Sequence, residues 1–207
     1  MPGLQRSQAV KPFLAAAVLT AASLAGGGGT SGAGSPQEAV SAFLAPYAKP
    51  FPSGPDVRES QRKQNAKHLW QTLCDRVDPA IRRGLRFYKD NSVDARTNCG
   101  AVISVLAGDP GEGGPVGPAA TMTGTPRSAL TTGNTSIVTV VIHYVPVSGL
   151  TVASPPRSAT IKVLTAKRGG RWWIATPHAF NPAVAIGGGE TPADLRAEYA
   201  KLLAAAR

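Results

Sequence analysis

The chain has 207 residues and carries 22 Lys and Arg against 12 Asp and Glu, which gives a formal net charge of +10. Hydrophobic residues make up 43% of the sequence, enough for a core of ordinary size, and Gly and Pro supply 23 and 18 residues. This composition excludes a fully disordered chain, a coiled coil, collagen and a polytopic membrane protein. It does not indicate an activity.

Residues 1–25 have the pattern of a secretory signal peptide. Two basic residues precede an apolar run over residues 13–25, which ends in small residues at the −3 and −1 positions of a cleavage site. We therefore expect cleavage after Ala25, a flexible linker over residues 26–35 and one folded domain over residues 36–207. The alternative is an uncleaved membrane anchor extended by the glycines that follow.

Cleavage at this point removes two basic residues and no acidic ones, so the exported domain keeps a net charge of +8. Outside the cytoplasm, nucleic acid is a poor default partner for this charge. An anionic component of the cell envelope, or a surface that is merely solvated, fits it better. We expect a secreted or extracytoplasmic protein that is associated with the envelope and has no nucleic-acid partner.

Cys74 and Cys99 are the two cysteines of the chain. Two cysteines in an exported protein usually pair because the compartment is oxidising, so we predict a disulfide between them. A catalytic or metal-binding pair would more often be spaced C-x-x-C. Closing a loop of about 25 residues contributes on the order of 3 kcal/mol to the free energy of unfolding.

Apolar residues recur with the period of an α-helix between residues 35 and 108, and we predict four helices there. The first begins with a capping box at Ser35 and Glu38 and is interrupted at Pro46. The third is short and begins at Asp78, which we interpret as its N-cap. The residues predicted to face the core are Val40, Phe43, Leu44 and Tyr47 in the first helix, Ala66, Leu69, Trp70, Leu73 and Val77 in the second, Ile81, Leu85 and Tyr88 in the third, and Val102, Ile103 and Leu106 in the fourth.

After residue 118 the apolar period changes to 2, the period of β-strands. Residues 136–147 form the strongest segment, and because both of its faces are apolar we predict a central strand covered on both sides. Gly169-Gly170 marks a hairpin turn, and Thr191 caps a last helix. Helices followed by consecutive strands predict an α+β domain with an antiparallel sheet and an extra C-terminal helix. The other predicted strands span residues 119–124, 128–132, 158–165 and 171–176.

Four short segments occur in an order that is typical of one protein superfamily. They are Glu38-Ala-Val-x-x-Phe43-Leu44, Leu73-Cys74 followed by Asp78-Pro79-x-x-Arg82, Cys99-Gly-Ala-Val102, and Gly170-Arg-Trp-Trp-Ile174. Over residues 36–178 the chain thereby resembles the nuclear transport factor 2-like superfamily, and within it the exported bacterial members with two cysteines. The resemblance implies a curved antiparallel sheet that wraps N-terminal helices into a cone. It also implies a candidate homodimer contact through the open sheet face.

Enzymes of that superfamily, such as SnoaL-like polyketide cyclases and ketosteroid isomerases, transfer protons inside the cone and need a positioned acid or base. No Asp or Glu occurs between Glu112 and Glu190, so the predicted sheet carries no carboxylate base. The remaining catalytic candidates are His143 and Asp75, and we assign a catalytic role to neither. We predict no metal site because the three histidines are dispersed, and no cofactor.

Two groups of residues are candidates for binding. The resemblance implies a ligand cavity inside the cone, for which the candidates are Tyr144, His143, Trp172, Trp173 and His178. The third helix and the loop after it carry the basic residues Arg82, Arg83, Arg86 and Lys89. They are candidates for contacting an anionic surface, or else they form a solvated charged face.

Three functions are consistent with these patterns. The first is an exported, non-enzymatic domain that binds an envelope protein or an anionic envelope component, and is stabilised by the disulfide. The second is a SnoaL-like cyclase or isomerase with an acid–base residue in the cone. The third is a membrane-anchored accessory component of a secretion or conjugation apparatus, which would require an uncleaved anchor.

Overall fold

The computed structural model describes five stretches of the chain, namely residues 32–49, 57–87, 99–107, 121–145 and 157–207. The predicted signal peptide and the first part of the predicted linker lie outside these stretches, as do Tyr88 and Lys89. Within them the chain forms helices first, then a sheet, then further helices. This order confirms the predicted α+β class.

Five α-helices and four β-strands lie in the described stretches. The helices are α1 (Pro36–Leu44), α2 (Glu59–Arg76), α3 (Cys99–Ala107), α4 (Pro182–Ile186) and α5 (Pro192–Ala205). The strands are β1 (Thr121–Thr132), β2 (Thr135–Val145), β3 (Arg157–Arg168) and β4 (Arg171–Ile174). Short 3-10 helices occupy Ala45–Ala48, Gly84–Phe87 and Pro177–Phe180.

The four strands form one antiparallel sheet in the order β1-β2-β3-β4, curled into a half-barrel. We call the face that carries alternate residues of β2 the inner face; these residues, Val138, Val140, Ile142 and Tyr144, are buried. Helix α1 packs on this face so closely that a Cβ on Gly124 would come within 2.5 Å of Leu44 Cδ1. The predicted core residues of α1 are all buried.

The opposite face of β2 corrects one prediction. Ile137 is buried there, Val141 is half-buried, and His143 and Val145 are exposed. Strand β2 is therefore central, but it is covered on both sides only near the β3–β4 hairpin. The apolar residues on both faces of β2 predicted that other elements would pack on both faces along the whole strand. The neighbouring residues on β1 and β3 are polar instead, and most of this face remains in contact with solvent.

Strand β1 differs from the prediction of two short strands over residues 119–124 and 128–132. Residues 119–120 lie outside the described part, and Thr121–Thr132 form one strand. The pairing register with β2 shifts between Pro126 and Ser128, which is a β-bulge. A bulge accommodates a proline, which cannot donate to the ladder, without ending the strand. The sequence suggested a break at this position, but pairing with β2 continues past it.

The outer edge of β4 is closed by two single bridges. Ala33 exchanges two backbone hydrogen bonds with Trp172, each 2.9 Å long, and Val77 pairs with Ile174 in parallel. Residues 32–35 were predicted to belong to the flexible linker, but this pairing makes them part of the folded domain. This pairing could not be predicted from the sequence, because one bridge leaves no periodic pattern.

The predicted third helix is not an α-helix. Residues 79–83 form a turn that leads into the 3-10 helix at Gly84–Phe87. Arg82 donates from Nε to the carbonyl of Val77 at 3.1 Å, which uses its side chain to cap the end of α2. The backbone at Gly84 lies against the carbonyl oxygen of Leu202 in α5, and a Cβ there would overlap it. These tertiary contacts override the helical period of the segment.

Asp78 connects three parts of the fold. Its fully buried carboxylate accepts hydrogen bonds from Arg168 Nε at 2.7 Å, from the Tyr199 hydroxyl at 2.5 Å and from the Ala80 amide at 3.0 Å. The predicted N-cap role is thus realised in a turn, but the ion pair with β3 and the bond from α5 were not predicted. This cluster fastens the C-terminal helix to the sheet.

The predicted disulfide between Cys74 and Cys99 is confirmed. It joins the end of α2 to the start of α3, and the two Cα atoms are 5.7 Å apart. The next residue, Gly100, lies directly against the backbone of Trp70, and a Cβ there would overlap the Trp70 carbonyl oxygen. The bridge and this glycine together bring the two helices into close contact.

Replacing Gly100 with alanine is expected to lower the free energy of unfolding by about 1–3 kcal/mol, because α2 and α3 must separate to admit the methyl group. This would occur even though alanine has the higher helix propensity. Urea unfolding of the variant measures the effect. Gly169→Ala is the control: its Cβ meets no atom within 4 Å, and it is strained only by its positive φ of 58°. A Gly100→Ala variant as stable as the wild type would contradict the close contact.

Candidate functional site

The exposed part of the outer sheet face forms a regular array of side chains. In the pairing register, residues directly opposite each other on β1, β2 and β3 share a face. We call the following nine side chains the open face. They form three rows across the strands: Thr123, His143 and Ser158; Thr125, Val141 and Thr160; and Ser128, Thr139 and Lys162.

Six of these nine side chains carry hydroxyl groups, and seven of the nine are exposed. Neighbouring strands lie about 4.8 Å apart, and residues on one face of a strand repeat about every 6.8 Å, so the hydroxyls form a grid with these spacings. Val141, at the centre of the grid, is half-buried. The open face is therefore a polar surface built on a rigid scaffold.

One cationic side chain lies within this grid without an acidic partner. Lys162 is exposed in the third row, and Arg127 is exposed at the bulge of β1. Arg157 is also exposed, but it lies opposite Tyr144 and so belongs to the other face of the sheet. None of the ion pairs among the described residues involves Lys162 or Arg127, and because β1 to β4 contain no Asp or Glu, no carboxylate of the strands neutralises their charge.

His143, a catalytic and cavity candidate, belongs to the open face. Its Nδ1 lies 2.6 Å from Ser158 Oγ on the neighbouring strand, and its side chain is exposed. Tyr144, the next residue along β2, points to the inner face and is buried. The structure therefore does not bring these two cavity candidates together.

The inner face near Tyr144 is filled by protein. The Tyr144 hydroxyl donates to the carbonyl of Phe180 at 3.2 Å, and burial raises the pKa of this phenol. The ring of Phe180 stacks on Phe43 of α1 at a centroid distance of 4.7 Å. Trp172 belongs to the same apolar core. These candidates act as core residues in this structure.

Trp173 lies on the opposite side of β4 from Trp172, as the alternation of a strand requires. Its indole N–H donates to the carbonyl of Arg168 at 3.3 Å, and the Arg82 guanidinium lies 5.9 Å from its ring centroid. Arg82 was a candidate for an anionic surface, but its contacts with Trp173 and the end of α2 leave it half-buried.

The other candidates for an anionic surface and for catalysis are separated in the fold. Arg83 is exposed, whereas the side chain of Arg86 and the whole of Lys89 lie outside the described part. Asp75 is half-buried at the end of α2, where its carbonyl accepts a hydrogen bond from Arg82 at 3.3 Å. It has no contact with His143 among the hydrogen bonds and ion pairs of the described residues.

His178 forms a pair that the sequence did not reveal. Its Nε2 lies 2.6 Å from Glu190 Oε2, and both side chains are largely buried. The contact is close, but neither Nε2 nor Nδ1 of His178 makes a hydrogen bond of acceptable geometry among the described residues, and both nitrogens are buried. In the sequence, the only feature that singled out Glu190 is that it is the first carboxylate after the strands of the sheet.

We expect the stability of the protein to fall as the pH drops below about 6.5, because of His178. Burial lowers the pKa of His178; Glu190 opposes this shift and Lys201 adds to it. The unfolded chain therefore takes up a proton at higher pH than the folded one. The stabilisation from the neutral His178 is complete above the pKa of this residue in the unfolded chain, and it is lost as the pH falls towards the lower pKa in the folded chain. Over this interval the free energy of unfolding changes by no more than about 1.4 kcal/mol per pH unit.

Urea unfolding at about pH 7.5 and at about pH 5.5 measures this dependence. His178→Gln should weaken it, whereas the matched variant His68→Gln, at an exposed position of α2, should leave it unchanged. The same pH dependence in the wild type and in His178→Gln would contradict the prediction.

Comparison with protein-family models, with curated proteins and with solved structures found no match to this chain. Among the described residues, no helix has the length and apolar character needed to cross a membrane. In the same stretches, no group of three or more His, Cys, Asp or Glu side chains is placed to hold a metal ion.

Proposed function

We propose that this protein is an exported, non-enzymatic binding domain of the bacterial cell envelope, with the nuclear transport factor 2-like fold. The curled antiparallel sheet with α1 on its inner face supports the fold assignment. The apolar N-terminal segment and the Cys74–Cys99 disulfide support export into an oxidising compartment. The partner in this proposal is an anionic component of the envelope.

One observation carries the binding function. The open face presents hydroxyl and cationic groups on a sheet that contains no carboxylate, while the side chains of the inner face are packed into the core. A binding surface needs exposed, oriented donors, which the open face provides. A proton-transfer site in the sheet would need an acid or base facing a substrate, and the histidine of the open face, His143, is paired with Ser158.

Fractionation of cells that produce the tagged protein tests this function. We expect the protein in the envelope fraction, with Cys74 and Cys99 resistant to alkylation until a reductant is added. We also expect high salt to release it, since the attraction is electrostatic. Recovery of the protein in the cytosol with two free thiols would overturn the proposal.

A second function is favoured by the His178–Glu190 pair. His178 Nε2 lies 2.6 Å from Glu190 Oε2, the closeness of a general base beside a carboxylate, and both ring nitrogens are buried without a hydrogen bond of acceptable geometry in the described part of the chain. In this alternative the protein is a cyclase or isomerase that transfers a proton through Nδ1. Because Nδ1 is buried, the segment around α4 would have to move to admit a substrate.

Turnover assays with ketone substrates that have an acidic C–H group test this alternative. The enzyme function predicts activity that is lost in His178→Gln and in Glu190→Gln and retained in His143→Gln. Absence of turnover, or activity unchanged in His178→Gln, would remove this alternative and leave the binding function in place.

A further inference from the structure

We infer that the open face binds the phosphate groups of a linear anionic polymer, an inference that rests on the proposed envelope-binding function. The inference names both the surface and the chemistry of its partner. It depends on three properties of the open face, which are its charge, the kind of donors it presents and their regular spacing.

The charge selects an anion. Lys162 on the open face and Arg127 at the bulge of β1 are exposed and take part in none of the ion pairs of the described residues. The acidic residues nearest in sequence to the sheet, Glu112 and Glu190, lie outside its strands. A second copy of this basic face would repel the first, so charge complementarity favours an anionic partner over self-association.

The donors favour phosphate over carboxylate. The cation of the open face is a lysine, which binds phosphate as a point charge without a fixed plane of approach. Apart from Ser158, which is paired with His143, the hydroxyls of the open face can each donate to an anionic oxygen. A tetrahedral phosphate accepts such bonds from several directions, so it can contact two neighbouring strands at once.

The spacing favours a polymer over a lipid surface. The three rows repeat along the strands about every 6.8 Å, which provides successive equivalent positions for successive phosphates. Binding to a membrane surface usually combines basic side chains with inserted apolar ones. The open face has one apolar side chain, the half-buried Val141, and the exposed Leu130 and Val145 on the same side of the sheet lie beyond its opposite ends.

Binding of the purified full-length protein to long-chain inorganic polyphosphate, followed by calorimetry at about 0.15 M salt, tests the inference. Lys162→Gln should weaken binding about tenfold, since a charged hydrogen bond is lost. The matched variant Lys67→Gln removes the same charge from an exposed position on α2 and should change the affinity less than about twofold.

A second pair of variants tests the hydroxyl grid without changing charge. Thr160→Val keeps the branched shape of the side chain and should weaken binding about threefold. Thr132→Val, at the exposed end of β1 and outside the three rows, should have no effect. Both variants should unfold at the wild-type urea concentration, which shows that the change lies in binding.

Four results would overturn the inference. One is an equal loss of affinity in Lys162→Gln and Lys67→Gln, which would indicate diffuse attraction. A second is binding of poly-glutamate as tight as that of polyphosphate. A third is binding of phosphatidylglycerol vesicles without binding of polyphosphate. The last is a dimer in solution that Lys162→Gln dissociates. Each of these can occur while the protein still fractionates with the envelope, so the proposed function can survive the failure of this inference.

Discussion

Replacing Asp78 with alanine is expected to lower the free energy of unfolding by about 3 kcal/mol. The side chain is fully buried and accepts hydrogen bonds from Arg168, Tyr199 and the Ala80 amide. Its removal leaves the Tyr199 hydroxyl and the amide without their acceptor. The loss falls at the low end of the range for buried ion pairs because about half of the Arg168 side chain is exposed.

The half-buried Asp75, three residues earlier, provides the control. Asp75→Ala should cost less than about 1 kcal/mol, because in the hydrogen bonds of the described residues Asp75 takes part through its carbonyl and not through its carboxylate. Tyr199→Phe removes one of the bonds to Asp78 and should cost about 1 kcal/mol. Equal stability of Asp78→Ala and Asp75→Ala would contradict the role assigned to the buried cluster.

The same cluster predicts a contribution to acid stability. Burial alone would raise the pKa of Asp78, but hydrogen bonds from Arg168, Tyr199 and the Ala80 amide outweigh it and hold the pKa below its usual value of 3.8. Burial and the bond to Asp78 raise the pKa of Tyr199 to about 12. The stabilisation from Asp78 is therefore present above about pH 4 and is lost as the pH falls through its folded pKa. Asp78→Ala should unfold at a higher pH than the wild type on acidification.

The double replacement Cys74→Ser and Cys99→Ser is expected to lower the free energy of unfolding by about 3 kcal/mol. The bridge closes a loop with a sequence separation of 25 residues, and its removal enlarges the unfolded ensemble. Urea unfolding of the double variant gives the size of the effect. The reduced wild type should match the variant, and adding a reductant should not change the variant further.

Equal stability of the oxidised wild type and the double variant would show that the bridge does not restrain the unfolded chain. The single variant Cys74→Ser leaves Cys99 as a free thiol and should be as unstable as the double variant. These results separate the covalent link from the packing of the two half-buried cysteines.

The parts of the fold that depend on local interactions could be predicted from the sequence. Ser35 Oγ accepts from the Glu38 amide at 3.2 Å, and Thr191 forms a complete capping box with Asp194. In α1 the Glu38 carboxylate instead reaches the amide of Gly34 at 2.9 Å, one residue before the cap. Caps and hydrophobic periods involve residues within one or two turns, so a single sequence contains the information they need.

The parts that depend on distant contacts could not be predicted. Asp78 and Arg168 are 90 residues apart in the chain, and no local pattern joins them. The turn at residues 79–83 had a helical period, but the capping contacts of Arg82 and the approach of α5 at Gly84 gave it another conformation. Tertiary packing overrides local propensity at such places.

The open face was only partly visible in the sequence. The alternating threonines of β1 could be seen, but the bulge at Pro126 hides which residues after it share their face. The register with β2 shows that Ser128 lies opposite Thr139, in one row with Lys162. The lack of carboxylates in the predicted strands could be read from the sequence. Which side chains share the exposed face could be determined only from the pairing of the strands.

The most direct test of the open face as the binding surface is an NMR titration of the ¹⁵N-labelled protein with polyphosphate. The proposed binding predicts that the amide signals of β1, β2 and β3 shift together, with the largest changes around Thr139 and Lys162. The amides around His178 and Glu190 should remain in place. Shifts concentrated around His178 and Glu190, with β1 to β3 unchanged, would contradict the binding surface and place the ligand at that pair.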